Sequence, residues 1–313
     1  MENNSKEKSF DQAEKLRDLV EKANKETLEE NELKEKKILN TEDDTIADVI
    51  TVTSGKGGVG KSSFSVNLAI KISKLGKKVL IIDADFGLAN IEIMFGMSPK
   101  YTLADLLFKD KNIEDIIIKG PEDISFISGG SGISELNNLT KDQLKKFMDQ
   151  ASLLFKNYDT VIIDTAAGIN DNILDFIFSS KEVILLVTKE PTSITDGYAL
   201  LKNVNLKDGA KDVSINVITN RVKNEKEGQL LFNKLYLVIK KYLDLDIKYL
   251  GAIPYDDNIS NAIIKQTPFV ISYPNTIATK SLDNIVQKLY NSKTENKKKD
   301  IKTILKFFLG LKR

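Results

Sequence analysis

Between about residue 46 and residue 290 the chain alternates short β-branched runs with longer amphipathic stretches. The runs are Asp48–Thr53, Lys78–Asp83, Thr160–Asp164, Val183–Thr188, Val213–Thr219 and Tyr249–Pro254, and several are apolar at consecutive positions rather than at every second one. Such a strand is buried on both faces. The segments between them (Lys61–Leu75, Thr140–Phe155, Thr192–Leu206, Glu227–Tyr242) are long enough for crossover helices. The pattern predicts an α/β fold, a mostly parallel sheet covered by helices on both faces. Ahead of it, from Glu21 to Lys37, charge dominates and apolar residues are few, which predicts a solvated helix or a linker. The expected division is 1–45, an N-terminal helix and linker; 46–292, the α/β domain; and 293–313, a separate C-terminal element.

Composition narrows the chemistry. The chain has 313 residues, 41% hydrophobic and 29% charged, with 46 Lys+Arg against 45 Asp+Glu, so a sizeable core forms without a large net field. It contains no Cys and no His. Disulfide frameworks, thiolate or histidine metal sites, iron–sulfur clusters, cysteine nucleophiles and Ser-His-Asp triads are excluded, and any general base is a carboxylate, Lys or Tyr. The first residues lack an apolar signal region and no run approaches about 18 apolar residues, so the expected location is the cytoplasm.

The first run leads straight into Gly55-Lys56-Gly57-Gly58-Val59-Gly60-Lys61-Ser62, a full G-x-x-x-x-G-K-[ST] match, with Ser63 next on the helix. Glycines let backbone N–H groups wrap phosphates at a helix N-terminus, Lys61 supplies charge to the β/γ oxygens, and the Ser62 hydroxyl is a Mg²⁺ ligand. Lys56 is a second lysine inside the loop. Spacing leaves two readings for it: a solvated loop charge, or a group presented to another subunit's nucleotide to stabilise transition-state charge. Asp83 and Asp85 close the second run, and Asp164 closes Val161-Ile162-Ile163. All three belong at the carboxyl edge of the sheet, where open α/β folds bind ligands, and Asp164 reads as the Walker-B acid. Neither Thr188-Lys189-Glu190-Pro191 nor Asn220-Arg221-Val222-Lys223 completes the guanine-reading [NT]-K-x-D pattern. Adenine is therefore expected, with Asn220 and Arg221 offering amide hydrogen bonds and a stacking plane.

The two ends differ in charge. Residues 1–44 carry 14 acidic and 9 basic side chains, residues 293–313 carry 8 basic and 2 acidic. In the C-terminal element Ile301, Ile304, Leu305, Phe308 and Leu309 share one broad helical arc and Lys302, Lys306 and Arg313 fall opposite, after Lys297-Lys298-Lys299. That is the composition of an interfacial helix held by apolar burial and by anionic lipid. Near the other end, Phe10, Ala13, Leu16 and Val20 are at helical spacing; the segment is either a groove-docking element or a fraying tail.

Together the loop, Ile82-Asp83-Ala84-Asp85-Phe86-Gly87-Leu88-Ala89-Asn90 and Ile163-Asp164-Thr165-Ala166-Ala167-Gly168 resemble the MinD/ParA group of deviant-Walker P-loop ATPases over about residues 46–290. The resemblance implies an ATP-sandwich homodimer, with Lys56 reaching into the partner's site, Asp85 positioning the attacking water, and Asp83 and Asp164 holding Mg²⁺ through water. Within the group, Asp11-Gln12-Ala13 followed by Leu16-Arg17 is similar to the DQAxxLR element of the FlhG branch, also called FleN or YlxH. In that branch the element stimulates the FlhF-type GTPase, the C-terminus targets membrane reversibly, and the role is control of flagellar number and placement with contacts to C-ring components. The rival readings are a MinD-type division-site ATPase and a ParA-type DNA partition ATPase. Near-neutral charge and the amphipathic tail favour lipid over a phosphate backbone, so specific nucleic-acid binding is not expected.

Overall fold

A computed structural model describes residues 47–85, 90–109, 111–130, 150–151 and 154–291. Six strands follow the predicted runs: β1 (Asp48–Thr53), β2 (Val79–Ala84), β5 (Thr160–Thr165), β6 (Glu182–Thr188), β7 (Ser214–Val222) and β8 (Ile247–Pro254). Two short strands without a sequence signal of their own, β3 (Ile118–Lys119) and β4 (Ser125–Ile127), extend one edge. The sheet runs β3-β4-β2-β5-β1-β6-β7-β8, parallel throughout except for β3 against β4.

The consecutive apolar positions are explained by the layers. Val79 and Ile81 face one core with Phe64, Leu68 and Ile72, whereas Leu80 and Ile82 face another with Leu103, Leu107 and Phe155. On the other half of the sheet Ile184 and Leu186 join the first core, and Val183, Leu185 and Val187 pack under Leu200, Leu201 and Val204. Helices α1 (Lys61–Ser73), α2 (Ile91–Phe95) and α3 (Leu103–Phe108) follow the first two strands; α4 (Asp171–Ser179), α5 (Pro191–Asn205) and α6 (Glu225–Tyr242) follow β5, β6 and β7. After β8 come α7 (Asp257–Ile264), α8 (Phe269–Ser272) and α9 (Ile277–Asn291). Most of the predicted Thr140–Phe155 helix lies outside the described residues.

Helix α1 is buried nearly all round, from Lys61 to Ile72. Such a helix needs its polar groups satisfied internally, and Asn67 does this on both sides: its amide donates to the Ser63 carbonyl at 2.7 Å and its oxygen accepts from the Val270 N–H at 3.0 Å. At the edge opposite the strands' carboxyl ends the described core begins and ends almost together. Asp48 is in register with Thr160, and the Thr160 hydroxyl is 2.9 Å from the Tyr290 hydroxyl near the end of α9. Among the described residues no helix is long and apolar enough to cross a membrane.

Candidate active site

The phosphate loop bridges β1 and α1. Its last glycine, Gly60, takes the N-cap of α1 at φ 95°, a left-handed conformation that side chains resist, and a Cβ there would lie 2.6 Å from the Asn220 amide nitrogen. The α1 N-terminus has no side-chain cap and no acid in its first turn. Its free amides, the positive end of the helix dipole and Lys61 thus converge as an anion site. At the loop's start, Gly55 lies against the α5 backbone so closely that a Cβ would be 2.2 Å from the Asp196 carbonyl carbon. That approach brings α5 beside the loop.

Lys61 is buried, and burial lowers its pKa while Asp164, Asp85 and Asp83 hold it up in that order. Asp83 and Asp164 end neighbouring strands and are in register with each other. The oxygens of Asp83 accept the backbone N–H groups of Asp85 (3.1 Å), Asn90 (3.0 Å) and Ile91 (3.2 Å), so this acid ties the end of β2 to the start of α2. Burial, then the Asp164 charge, pushes Asp83 up to about 7. Asp164 is fully buried; one oxygen accepts the Ser65 hydroxyl at 2.8 Å, and Oδ2 has no hydrogen-bond partner. Burial raises it to about 6 against the opposing hydroxyls and Lys61. Asp85 is half-buried, 3.5 Å from the Asn90 amide, and Phe86–Ala89 after it lie outside the described residues.

Lys56 is tied to the start of α5. Its ammonium pairs with Glu190, the N-cap of α5, and donates to the Thr192 hydroxyl at 2.8 Å. Glu190 in turn is held below its ordinary value by Lys56. Sequence reasoning missed both partners, although Glu190-Pro191-Thr192 directly follows the β6 run and so had to lie at the sheet's carboxyl edge. Ser65, one helical turn after Lys61, was missed likewise.

Asn220 closes the arrangement. It is buried at the end of β7, where its amide donates to the Val59 carbonyl at 2.8 Å and its oxygen accepts the Arg221 N–H at 2.9 Å. Arg221 follows at φ 57° and is exposed. Beside them a cavity of about 250 Å³ opens against the loop, walled by Gly60, Ser63, Asn220 and Arg221 on one side and by Tyr255, Asp256 and Ile259 on the other. The post-β8 wall, like Glu190, Thr192 and Ser65, was not reached by sequence reasoning. Gly57, Gly58 and Val59 complete the loop; Asp11, Gln12, Ala13, Leu16 and Arg17, like Ile301, Ile304, Leu305, Phe308 and Leu309, lie outside the described residues.

Comparisons with known proteins agree with this geometry. Residues 45–290 match the family model described as ParA, NUBPL iron-transfer P-loop NTPase. The chain is 38% identical over 241 residues to the antiactivator FleN of Pseudomonas aeruginosa, covering 77% of this chain and 85% of FleN. It is 34% identical over 266 residues to the flagellum site-determining protein YlxH of Helicobacter pylori, covering 83% of this chain and 89% of YlxH. In fold it resembles the septum site-determining protein MinD of Pyrococcus horikoshii, solved with Mg-ADP, at a TM-score of 0.61 and 23% identity over 78% of this chain and 96% of that one. The phosphate loop, the paired strand-end acids and these similarities place the chain in the MinD/ParA family of P-loop ATPases, in its FlhG (FleN/YlxH) branch.

Proposed function

We propose that the protein is an ATP-driven switch that dimerises with ATP, attaches reversibly to the inner face of the cell membrane, and regulates flagellar number and placement by stimulating an FlhF-type GTPase. The similarity to FleN and YlxH, spanning most of both relatives, carries this reading. In it the α1 N-terminus and Lys61 grip the β/γ phosphates, and the cavity between Asn220 and Tyr255 takes the adenine. The partnerless Asp164 Oδ2, with Ser62 and Asp83 beside it, fits a hydrated Mg²⁺, which keeps most of its water and needs few protein ligands. When bound, Mg²⁺ neutralises charge on the phosphates. Asp85 orients the attacking water, and Lys56, once it leaves Glu190, reaches the nucleotide of a second subunit.

Membrane attachment rests on residues 293–313, whose apolar arc and lysines suit anionic lipid, and C-ring components are the expected flagellar contacts. The iron transfer in the family model's description requires thiolates, which this sequence lacks. The deciding experiment measures GTP hydrolysis by the same organism's FlhF-type GTPase with a peptide of residues 1–25 and its Gln12→Ala variant. Stimulation that the variant loses is the expected result. No stimulation by either the peptide or the whole chain would move the function to division-site positioning, the reading favoured by the structural likeness to MinD.

A further inference from the structure

The Asn220 side chain stands between two parts of the nucleotide site that are usually treated apart. Its Nδ2 donates to the carbonyl of Val59, inside the phosphate loop, at 2.8 Å, and the residue also walls the cavity beside that loop. The loop is shaped to admit it: at Gly60 any side chain would collide with the same nitrogen. The Asn220 oxygen accepts the Arg221 N–H at 2.9 Å, which fixes the amide plane and leaves no freedom for a flip, since a reversed amide would face a carbonyl with an oxygen and an N–H with an NH₂. One donor hydrogen and one acceptor lone pair of the amide remain for whatever fills the cavity.

We infer that Asn220 is a positioning residue that couples occupancy of the base cavity to the shape of the phosphate loop, so that a base is sensed by the loop before any contact with phosphate. The inference rests on the reading of that cavity as the base pocket. A hydrogen bond from base to amide polarises and steadies the same group that holds Val59, and neighbouring bonds in such a chain strengthen one another. Ordering the loop in advance lowers the conformational cost of the second half of the ligand, which appears as positive coupling between the two halves.

The test uses three probes on the full chain: ADP, adenosine and pyrophosphate, the last carrying no base. Asn220→Ala is expected to weaken pyrophosphate binding about tenfold along with ADP, the scale of one buried hydrogen bond. Asn220→Asp, which sets a carboxylate oxygen against the Val59 carbonyl, is expected to weaken it further. Pyrophosphate affinity unchanged while ADP affinity falls would reduce Asn220 to a base contact and overturn the inference; a wild-type chain that binds pyrophosphate but gains nothing from the adenosine part of ADP would instead remove the base pocket and the inference with it. Should the variants fail to fold, backbone amide resonances of the wild-type protein decide: adenosine alone is expected to shift the Gly58 and Gly60 signals, and adenosine binding that leaves them in place would overturn the coupling.

Discussion

In its own subunit Lys56 is held by Glu190 and Thr192, both at the start of the helix that Gly55 brings alongside the loop. In the proposed dimer, reaching a second subunit's nucleotide would therefore mean exchanging one partner for another. Glu190→Gln removes the competing charge and is expected to strengthen ATP-dependent self-association several-fold in sedimentation experiments, while Lys56→Ala is expected to abolish it; an unchanged association constant in Glu190→Gln would show that the pair has no weight. The two strand-end acids give a pH signature. Both titrate near 3.8 ordinarily and are raised in the fold, Asp83 to about 7 and Asp164 to about 6. The folded chain then binds more protons than the unfolded one in between, so the stability these groups confer is complete below about pH 4 and is lost as pH rises through 6 to 7. The nucleotide- and metal-free protein is expected to lose Tm between about pH 5 and about pH 8, and Asp83→Asn, which does not titrate, to lose less. At this scale the positions of Lys61, Ser62, Asp83, Asp85 and Asp164, in the loop and at strand ends, could be read from the sequence because their spacing is tied to those elements. Glu190 and Asn220 act through distant partners, Lys56 and Val59, that no local pattern pairs with them.

Among the elements, length decided what could be read. Strands of six residues or more that are apolar on both faces announce themselves; β3 and β4, of two and three residues, do not, because pairing rather than pattern makes them strands. Helix ends shifted by only one or two residues, since caps such as Asn224, whose oxygen accepts the Glu227 N–H at 3.0 Å, are local chemistry. The all-round burial of α1 is different in kind: it follows from its place between the sheet and α9, which its own sequence cannot reveal. Its one buried amide side chain is the sensitive point. Asn67→Ala leaves the Val270 N–H without its acceptor and is expected to lower stability by about 1–3 kcal/mol in urea titrations, with the fold retained.

For the whole molecule the site and the two ends of the described core lie at opposite edges of the sheet. The nucleotide chemistry and the proposed membrane attachment are thus separable. Deleting residues 300–313 is expected to release the protein from anionic liposomes while leaving ADP affinity within about twofold, and Asp85→Ala to keep ATP bound, trap the dimer and prolong liposome attachment; a monomeric Asp85→Ala protein in ATP would sink the switch.

The meeting of Asp48, Thr160 and Tyr290 at one spot also has a mechanical meaning. Between these two ends of the described core the connection is short: from β1 across a single rung to β5 and on to the end of α9. A pull between Asp48 and Tyr290 would load that corner rather than the phosphate loop, which lies at the other edge of the sheet.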